Sequence, residues 1–195
     1  MLASITPLGE RARRSNWLFT VLVYVVGSLG GGTTIAALAG AAGSLALGGV
    51  SWQARIVVVA AVLAIGLAWE VLRAGVPGPR RQVNERWLKE YRGWVYGVGF
   101  GAQLGAGVVT VVMTSSVYVV LVAAFASGQW QSGALIGAVA GALRGATVLA
   151  AARVRTPSQL VALHARMDAW RAPIRSGSLV TQLVLSVLAI ALVAS

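Results

Sequence analysis

The chain has 195 residues, of which 57% are hydrophobic and 11% are charged, whereas soluble domains carry about 25% charged residues. Its formal net charge is +11, but the arginines stand in short blocks beside long uncharged stretches, which argues against nucleic-acid binding. It has no cysteine and a single histidine, His164, so disulfides and thiol chemistry are excluded and no residue set for a metal or haem is present. The sequence therefore predicts an integral membrane protein, embedded in the lipid bilayer, without metal or cofactor.

Hydrophobic residues gather in successive units, at roughly 17–48, 54–75, 94–126, 132–152 and 178–194. A spanning helix needs roughly 20 mostly apolar residues, so each unit can supply one span. The first and third units would each extend about 48 Å as straight helices, against about 30 Å of hydrocarbon, so we expect them to be tilted or broken. The predicted fold class is all-α, a polytopic bundle of about five spans that forms a single transmembrane domain over 1–195.

The basic blocks predict the orientation in the membrane. They lie around 11–14, 80–92 and 153–175, and the positive-inside rule places such blocks in the cytoplasm. The N-terminus is then cytoplasmic, and Ser195 lies outside after the fifth span. The richness in arginine, alanine, glycine and valine favours a bacterial origin, so we expect a multi-pass protein of the inner (plasma) membrane.

Two parts of the chain resemble each other. Leu29-Gly30-x-Gly32 matches Leu104-Gly105-x-Gly107 at an offset of 75 residues, and Glu10-Arg11 matches Glu85-Arg86 at the same offset. We interpret this as a duplicated helical hairpin, with repeat one at about 10–76, repeat two at about 85–156 and a final span at about 178–194. The charge blocks give both hairpins the same orientation, and the glycines mark where the two long helices are expected to break.

Two segments between the spans have the spacing of surface helices. In each, large apolar residues recur at helical intervals among charged ones: Val83, Trp87 and Tyr91, and then Leu160, Leu163, Met167 and Trp170. This pattern is typical of helices that lie in the membrane interface. We expect both segments to rest on the membrane surface and not to bind a separate partner.

Span four carries a stripe of small residues. Gly133, Gly137, Gly141 and Gly145 follow one another at intervals of four. Small residues at this spacing let two helix backbones approach closely. The stripe is therefore predicted to be a helix-packing face, either against this chain or against a membrane partner or second copy.

Arg144 lies beside this stripe, inside the predicted span. An arginine in the membrane costs a few kcal/mol or more and usually pairs with an acid or lines a wet cavity. Glu70 is the acid that falls within a span, at a depth within about one helical turn of Arg144. Three interpretations stay open: a structural Glu70–Arg144 pair, an anion or proton site, and a Glu70 that reaches water at the interface.

Further polar residues lie at or beyond the expected helix breaks. Gln103 lies in the break of span three and Ser28 is its counterpart in span one, while Thr33 and Thr110 follow the breaks. Interrupted helices in two matching repeats indicate a transporter binding site, because broken turns free backbone groups. The candidate substrate-binding residues are Arg144, Gln103, Glu70, Ser28, Thr33 and Thr110.

No catalytic arrangement is apparent, so we expect the protein not to be an enzyme. The glycine-broken units, and above all the stretch from Gly97 to Gly107, resemble the DsbD/CcdA and LysE-type membrane superfamily of reductant conduits and small-solute exporters. The resemblance covers roughly 10–152. This chain lacks the proline-cysteine pair of the thiol branch, and its charges predict parallel two-helix repeats where that superfamily has inverted three-helix repeats.

The resemblance and the broken helices together predict a small secondary transporter or exporter of a small solute, with anions among the expected substrates. The alternative is a non-catalytic membrane subunit or scaffold that packs against a partner through the glycine stripe of span four.

Overall fold

The structure, a computed structural model, describes residues 5–72, 91–107 and 116–194. Every regular element in these ranges is a helix. We number them α1 (Pro7–Ala12), α2 (Trp17–Ala46), α3 (Trp52–Val71), α4 (Gly93–Ala106), α5 (Ser116–Ser127), α6 (Trp130–Ala146) and α7 (Pro157–Ala194), with a 3-10 turn at Thr147–Ala151 after α6. The predicted all-helical class is confirmed.

Helices within the described ranges are long and apolar enough to cross a membrane at three places: Trp17–Ala46, Trp52–Trp69 and Trp130–Ala151. These correspond to the first, second and fourth predicted units. The chain is therefore a helical membrane protein. The count of five spans and the duplicated hairpin stay predictions.

Helix α2 is continuous, so the break that we expected in the first unit is wrong. It starts behind Asn16, whose side-chain oxygen accepts from the N–H groups of Leu18 and Phe19, and it continues unbroken to Ala46. Its 30 residues extend about 45 Å, so it must tilt to fit a bilayer. The glycines at 30–32 do not interrupt it, because in an apolar environment each backbone N–H gains most from its own helical partner.

The third unit does divide. Helix α4 ends at Gly107, whose left-handed backbone (φ +71°) is one that glycine adopts without strain. The N–H of Gly107 donates to the carbonyl of Gln103 at 3.3 Å, which closes the last turn. Residues 108–115, among them Thr110, lie outside the described ranges, and helix is present again from Ser116.

Helix α7 joins two segments that we predicted to be separate. The expected surface helix and the final span form one helix of 38 residues, Pro157–Ala194, which continues through Pro173. A proline removes one backbone donor and bends a helix, but the helical turns on either side are retained here. Of the other predicted surface segment, Val83 and Trp87 lie outside the described ranges.

Helix α2 is the centre of the bundle. It packs against α4, α5 and α6, whereas α7 packs against α3, which also contacts α5. A cluster of buried apolar side chains closes the end at which α2 and α4 begin: Ile5, Val21, Tyr24, Tyr96, Phe100 and Val148. The polar residues of interest lie along α2 and its neighbours.

Candidate functional site

Helices α2 and α4 approach each other through glycines on both sides. A Cβ atom at Gly31 of α2 would lie 2.9 Å from the Cα and carbonyl carbon of Ala102 on α4. In the opposite direction, Gly101 and Gly105 of α4 face the backbone of Tyr24 and Ser28. Backbone atoms cannot give way as a flexible side chain can, so this contact requires residues without a side chain.

The glycine stripe of α6 packs against a different face of α2. Gly133 and Gly137 face the backbone of Ala36 and Gly32, and Gly141 and Gly145 continue the contact at Ser28 and Val25. All four glycines are buried. The partner of the stripe is therefore α2 of the same chain. The face that the alternative function assigns to a partner is thus covered by α2 in this structure.

Ser28 lies where the three helices cross. Its side chain is buried, and its Oγ donates to the carbonyl of Gly141 on α6 at 2.7 Å. A Cβ atom at Gly141 would lie 3.1 Å from the carbonyl carbon of Ser28, and Gly105 of α4 faces the same carbonyl group. Ser28 thus joins α2 to α6 at the point where α4 also packs against α2.

Arg144 lies about one turn beyond Gly141 and reaches across to α4. Its Nη1 donates to the carbonyl oxygen of Gly105 at 3.4 Å. A Cβ atom at Gly107 would lie only 2.6 Å from the same Nη1, so the guanidinium group rests against the last turn of α4. The carbonyl end of a helix carries partial negative charge, and this end stabilises the arginine inside the bundle.

A small cavity lies beside Arg144. It has a volume of about 10 Å³ and is lined by Gly32 and Ala36 of α2, Gly105 of α4, Val117 of α5 and Gly137 of α6, among others. One water molecule needs roughly this volume. As far as the described residues show, the crossing therefore has no space for a larger solute in this conformation.

The other candidate residues lie apart from this crossing or outside what is described. Gln103 is half-buried and does not line the cavity, because it lies about 200° around α4 from Gly105, which does line it. Thr33 donates from its Oγ1 to the carbonyl of Leu29 in its own helix at 2.7 Å. The side chain of Glu70 and the whole of Thr110 are not described, so the Glu70–Arg144 pair stays a prediction.

A second polar cluster, which sequence reasoning missed, surrounds Glu10. The Glu10 side chain is completely buried. The hydroxyl of Tyr96 donates to its carboxylate, with distances of 2.7 Å to Oε1 and 2.6 Å to Oε2. Thr20 donates to Oε2 at 3.0 Å, and Nη2 of Arg13 lies 2.6 Å from Oε1. One carboxylate thus holds α1, α2 and α4 together.

Backbone contacts support the same attachment of α1. The N–H of Leu8 donates to the carbonyl of Val154 at 3.1 Å, which ties α1 to the segment that follows the 3-10 turn.

The pair of Arg13 and Glu10 changes the pKa of the arginine. Burial lowers the pKa of Arg13, but the hydrogen bond to Glu10 and the charge of Glu10 outweigh this effect, so the pKa lies above its usual value. The three-residue spacing of Glu10 and Arg13 is visible in the sequence, but nothing there points to Tyr96.

Arg55, which lies outside the three basic blocks, is also at a helix end. Its guanidinium donates to the carbonyl of Leu47 at 2.5 Å and to that of Val50 at 3.2 Å, just past the end of α2. It also rests against Gly128, which has a positive φ of +62°. Arg55 and Arg144 thus have the same role at two places, since each satisfies carbonyl groups where a helix stops.

The chain is similar to the methylamine utilization protein MauF of Paracoccus versutus, with 31% identity over 134 residues. The match covers 66% of this chain and 48% of MauF, so the chain spans about half the length of its relative. No protein-family model matches the chain, and no solved structure matches it. The resemblance to the DsbD/CcdA and LysE-type superfamily stays a prediction.

Proposed function

We propose that this protein is a membrane transporter of a small anionic solute, and that Arg144 at the crossing of α2, α4 and α6 binds the solute during passage. The observation that supports this most is the position of Arg144, whose guanidinium lies between helices against the end of the interrupted helix α4. Interrupted helices that end inside a bundle are the usual place of binding sites in transporters.

The guanidinium group of Arg144 has further N–H donors with which it can bind a solute. A guanidinium group has five N–H donors, and in the described part of the chain one donor of Arg144 is used, by Gly105. The remaining donors suit the oxygen atoms of a carboxylate or another small anion. Since the adjoining cavity holds about one water, the solute can enter only when the helices separate, as an occluded state in alternating access requires.

The similarity to MauF bears on the chemistry of the solute. The name of that relative associates it with methylamine utilization. A methylammonium ion is a cation, which the guanidinium of Arg144 would repel. If this chain acts in comparable metabolism, we therefore propose that the solute at Arg144 is an anion and not the amine itself.

A second candidate function is that of a non-catalytic accessory protein in the membrane. Two observations favour it. At the crossing, glycines pack directly against the backbone of neighbouring helices and leave a cavity of only about 10 Å³. In addition, MauF is named for utilization and not for transport. Such a protein would bind its partner through a surface other than the glycine stripe, which α2 covers.

Flux into proteoliposomes distinguishes the two candidates. Purified protein is reconstituted, and uptake of chloride, acetate, phosphate and methylammonium is measured for the parent, Arg144→Gln and Arg55→Gln. Arg55 is the matched control, because it also satisfies carbonyl groups at a helix end but lies away from the crossing. Anion uptake by the parent and Arg55→Gln, and its loss in folded Arg144→Gln, would support transport. If the parent protein transports none of these four solutes, the result would contradict the transport proposal and favour the accessory role.

A further inference from the structure

A basic cleft opens at the end of the bundle where α2 and α4 begin. It has a volume of about 830 Å³, far larger than the cavity beside Arg144. Arginine side chains line it together with aromatic ones: Arg13, Arg14, Arg92, Phe19, Tyr91 and Trp94. None of these residues belongs to the crossing near Arg144, so the cleft is a separate feature of the molecule.

The cleft has an excess of positive charge. Glu10 neutralises Arg13 through the contact of 2.6 Å. Within the residues that the structure describes, no acid lies at ion-pair distance from Arg14 or Arg92. Two charges in the wall of the cleft therefore have no acid beside them among the described residues, and we expect them to attract an anion.

The beginning of α4 adds to this positive character. Asn16 caps α2 with its side chain, but Arg92 at the corresponding position of α4 makes no side-chain cap hydrogen bond. Arg92 thus supplies no side-chain acceptor for the first N–H groups of α4, and a helix start carries partial positive charge. Gly93, the first residue of α4, also lines the cleft.

The wall of the cleft is held in a fixed shape. Glu10, which is completely buried, binds Arg13, whose guanidinium lies 5.7 Å from the centre of the Tyr96 ring. Arg14 has a positive φ of 54°, a conformation that a residue with a side chain keeps only where its surroundings impose it. Arg13 and Arg14 therefore project from a turn that α1 and α2 constrain on both sides.

We propose that this cleft binds the phosphate group of an anionic phospholipid. Arginine and free backbone N–H groups are the usual ligands of phosphate, and basic pockets between membrane helices bind anionic headgroups. The aromatic rim supports a lipid over a soluble phosphate. Phe19 is 52% exposed and Trp94 is 51% exposed, and Leu22, about one turn further along α2, is 58% exposed. The acyl chains of a lipid whose phosphate lies in the cleft would pack against these apolar side chains, whereas a soluble anion would make no contact with them. The proposal does not depend on a transport function.

Thermal stability in detergent tests the proposal. The melting temperature is measured for the parent after addition of phosphatidylglycerol, phosphatidylcholine, inorganic phosphate or glycerol 3-phosphate. The double variant Arg14→Asn/Arg92→Gln removes both of these charges, and asparagine tolerates the positive φ at position 14. Arg166→Gln is the matched control, because Arg166 is an exposed arginine of α7 outside the cleft.

We expect phosphatidylglycerol to raise the melting temperature of the parent and of Arg166→Gln by several degrees more than phosphatidylcholine does. The double variant should lose most of this difference, and each single variant should lose part of it if the double variant does not fold. An equal loss in Arg166→Gln would overturn the proposal in favour of diffuse surface charge. An equal gain from inorganic phosphate or glycerol 3-phosphate would overturn it in favour of a soluble anion.

Discussion

Tyr96 on α4 donates its hydroxyl to both carboxylate oxygens of Glu10, at 2.7 and 2.6 Å, and so closes the bundle at the end where α2 and α4 begin. The two residues are 86 positions apart in the chain. A buried carboxylate is stable only if its hydrogen bonds are satisfied, and here Tyr96, Thr20 and Arg13 satisfy them. The short helix α1 is thereby a fixed part of the structure.

Removing either member of this contact should destabilise the protein. Tyr96→Phe deletes a hydrogen bond to a charged group, which costs about 1.5–3 kcal/mol. Glu10→Gln leaves Arg13 without its acid; breaking a fully buried ion pair costs about 3–5 kcal/mol, and we expect a smaller loss here because the Arg13 side chain is 27% exposed. The free energy of unfolding in mixed micelles measures both effects. Tyr24→Phe is the control, since it removes a hydroxyl from the same core without touching Glu10; an equal loss there would contradict the proposed role of the contact.

Neighbouring glycines of α2 should respond in opposite ways to alanine. A Cβ atom at Gly31 would collide with the backbone of Ala102, whereas no atom lies within 4 Å of one at Gly30. We expect Gly31→Ala to destabilise the protein strongly. Gly30→Ala should stabilise it by about 0.5–1 kcal/mol, because alanine loses less backbone entropy in a helix. Similar melting temperatures for the two variants would show that α4 does not lie against this face of α2.

The stripe of α6 offers a second test of packing. Gly137→Leu or Gly141→Leu should separate α6 from α2 and lower the melting temperature in detergent, since both positions face the backbone of α2. Because that partner belongs to the same chain, the loss should not depend on protein concentration. Unchanged stability would mean that the stripe faces lipid, and a loss that dilution increases would mean that it joins two copies.

A double-mutant cycle determines what neutralises Arg144. If Glu70 is its partner, Glu70→Gln and Arg144→Gln should each destabilise the protein, and the double variant should recover much of the loss. If the carbonyl end of α4 and a solute are its partners, Glu70→Gln should have little effect. Arg144→Gln should then abolish any stabilisation by added anions. Thermal stability of the four forms with and without acetate or phosphate separates these outcomes, and four identical forms would remove the basis for a site at Arg144.

The predicted orientation can be tested with reporter fusions. Five spans with a cytoplasmic N-terminus place Ser195 outside, so an alkaline phosphatase fused after Ser195 should be active and a fluorescent protein there should be dark. The positive-inside distribution of the arginine blocks is the physical reason. The opposite result would require an even number of spans and would contradict the parallel hairpins.

The helices were largely predictable from the sequence, because apolar runs without charge and the polar segments between them depend only on local composition. The predicted unit at 132–152 corresponds to α6 with its 3-10 turn, and the third unit indeed stops inside its glycine-rich stretch, at Gly107. The spacing of the α6 glycines also indicated a packing face before any partner was known.

Only the tertiary structure decided what those residues contact. Glycine both interrupts helices and lets them pack closely, and the sequence does not distinguish the two uses, so α2 was expected to break where it packs most tightly. A pair with Glu70 was one of three interpretations that the sequence left open for Arg144, and its described partner is a carbonyl group of α4. Glu10 was noticed only as part of a repeat, because its burial depends on Tyr96, far along the chain. Local pattern determines which segments are helical, whereas the partner of a buried charge or a glycine depends on residues that folding alone brings near.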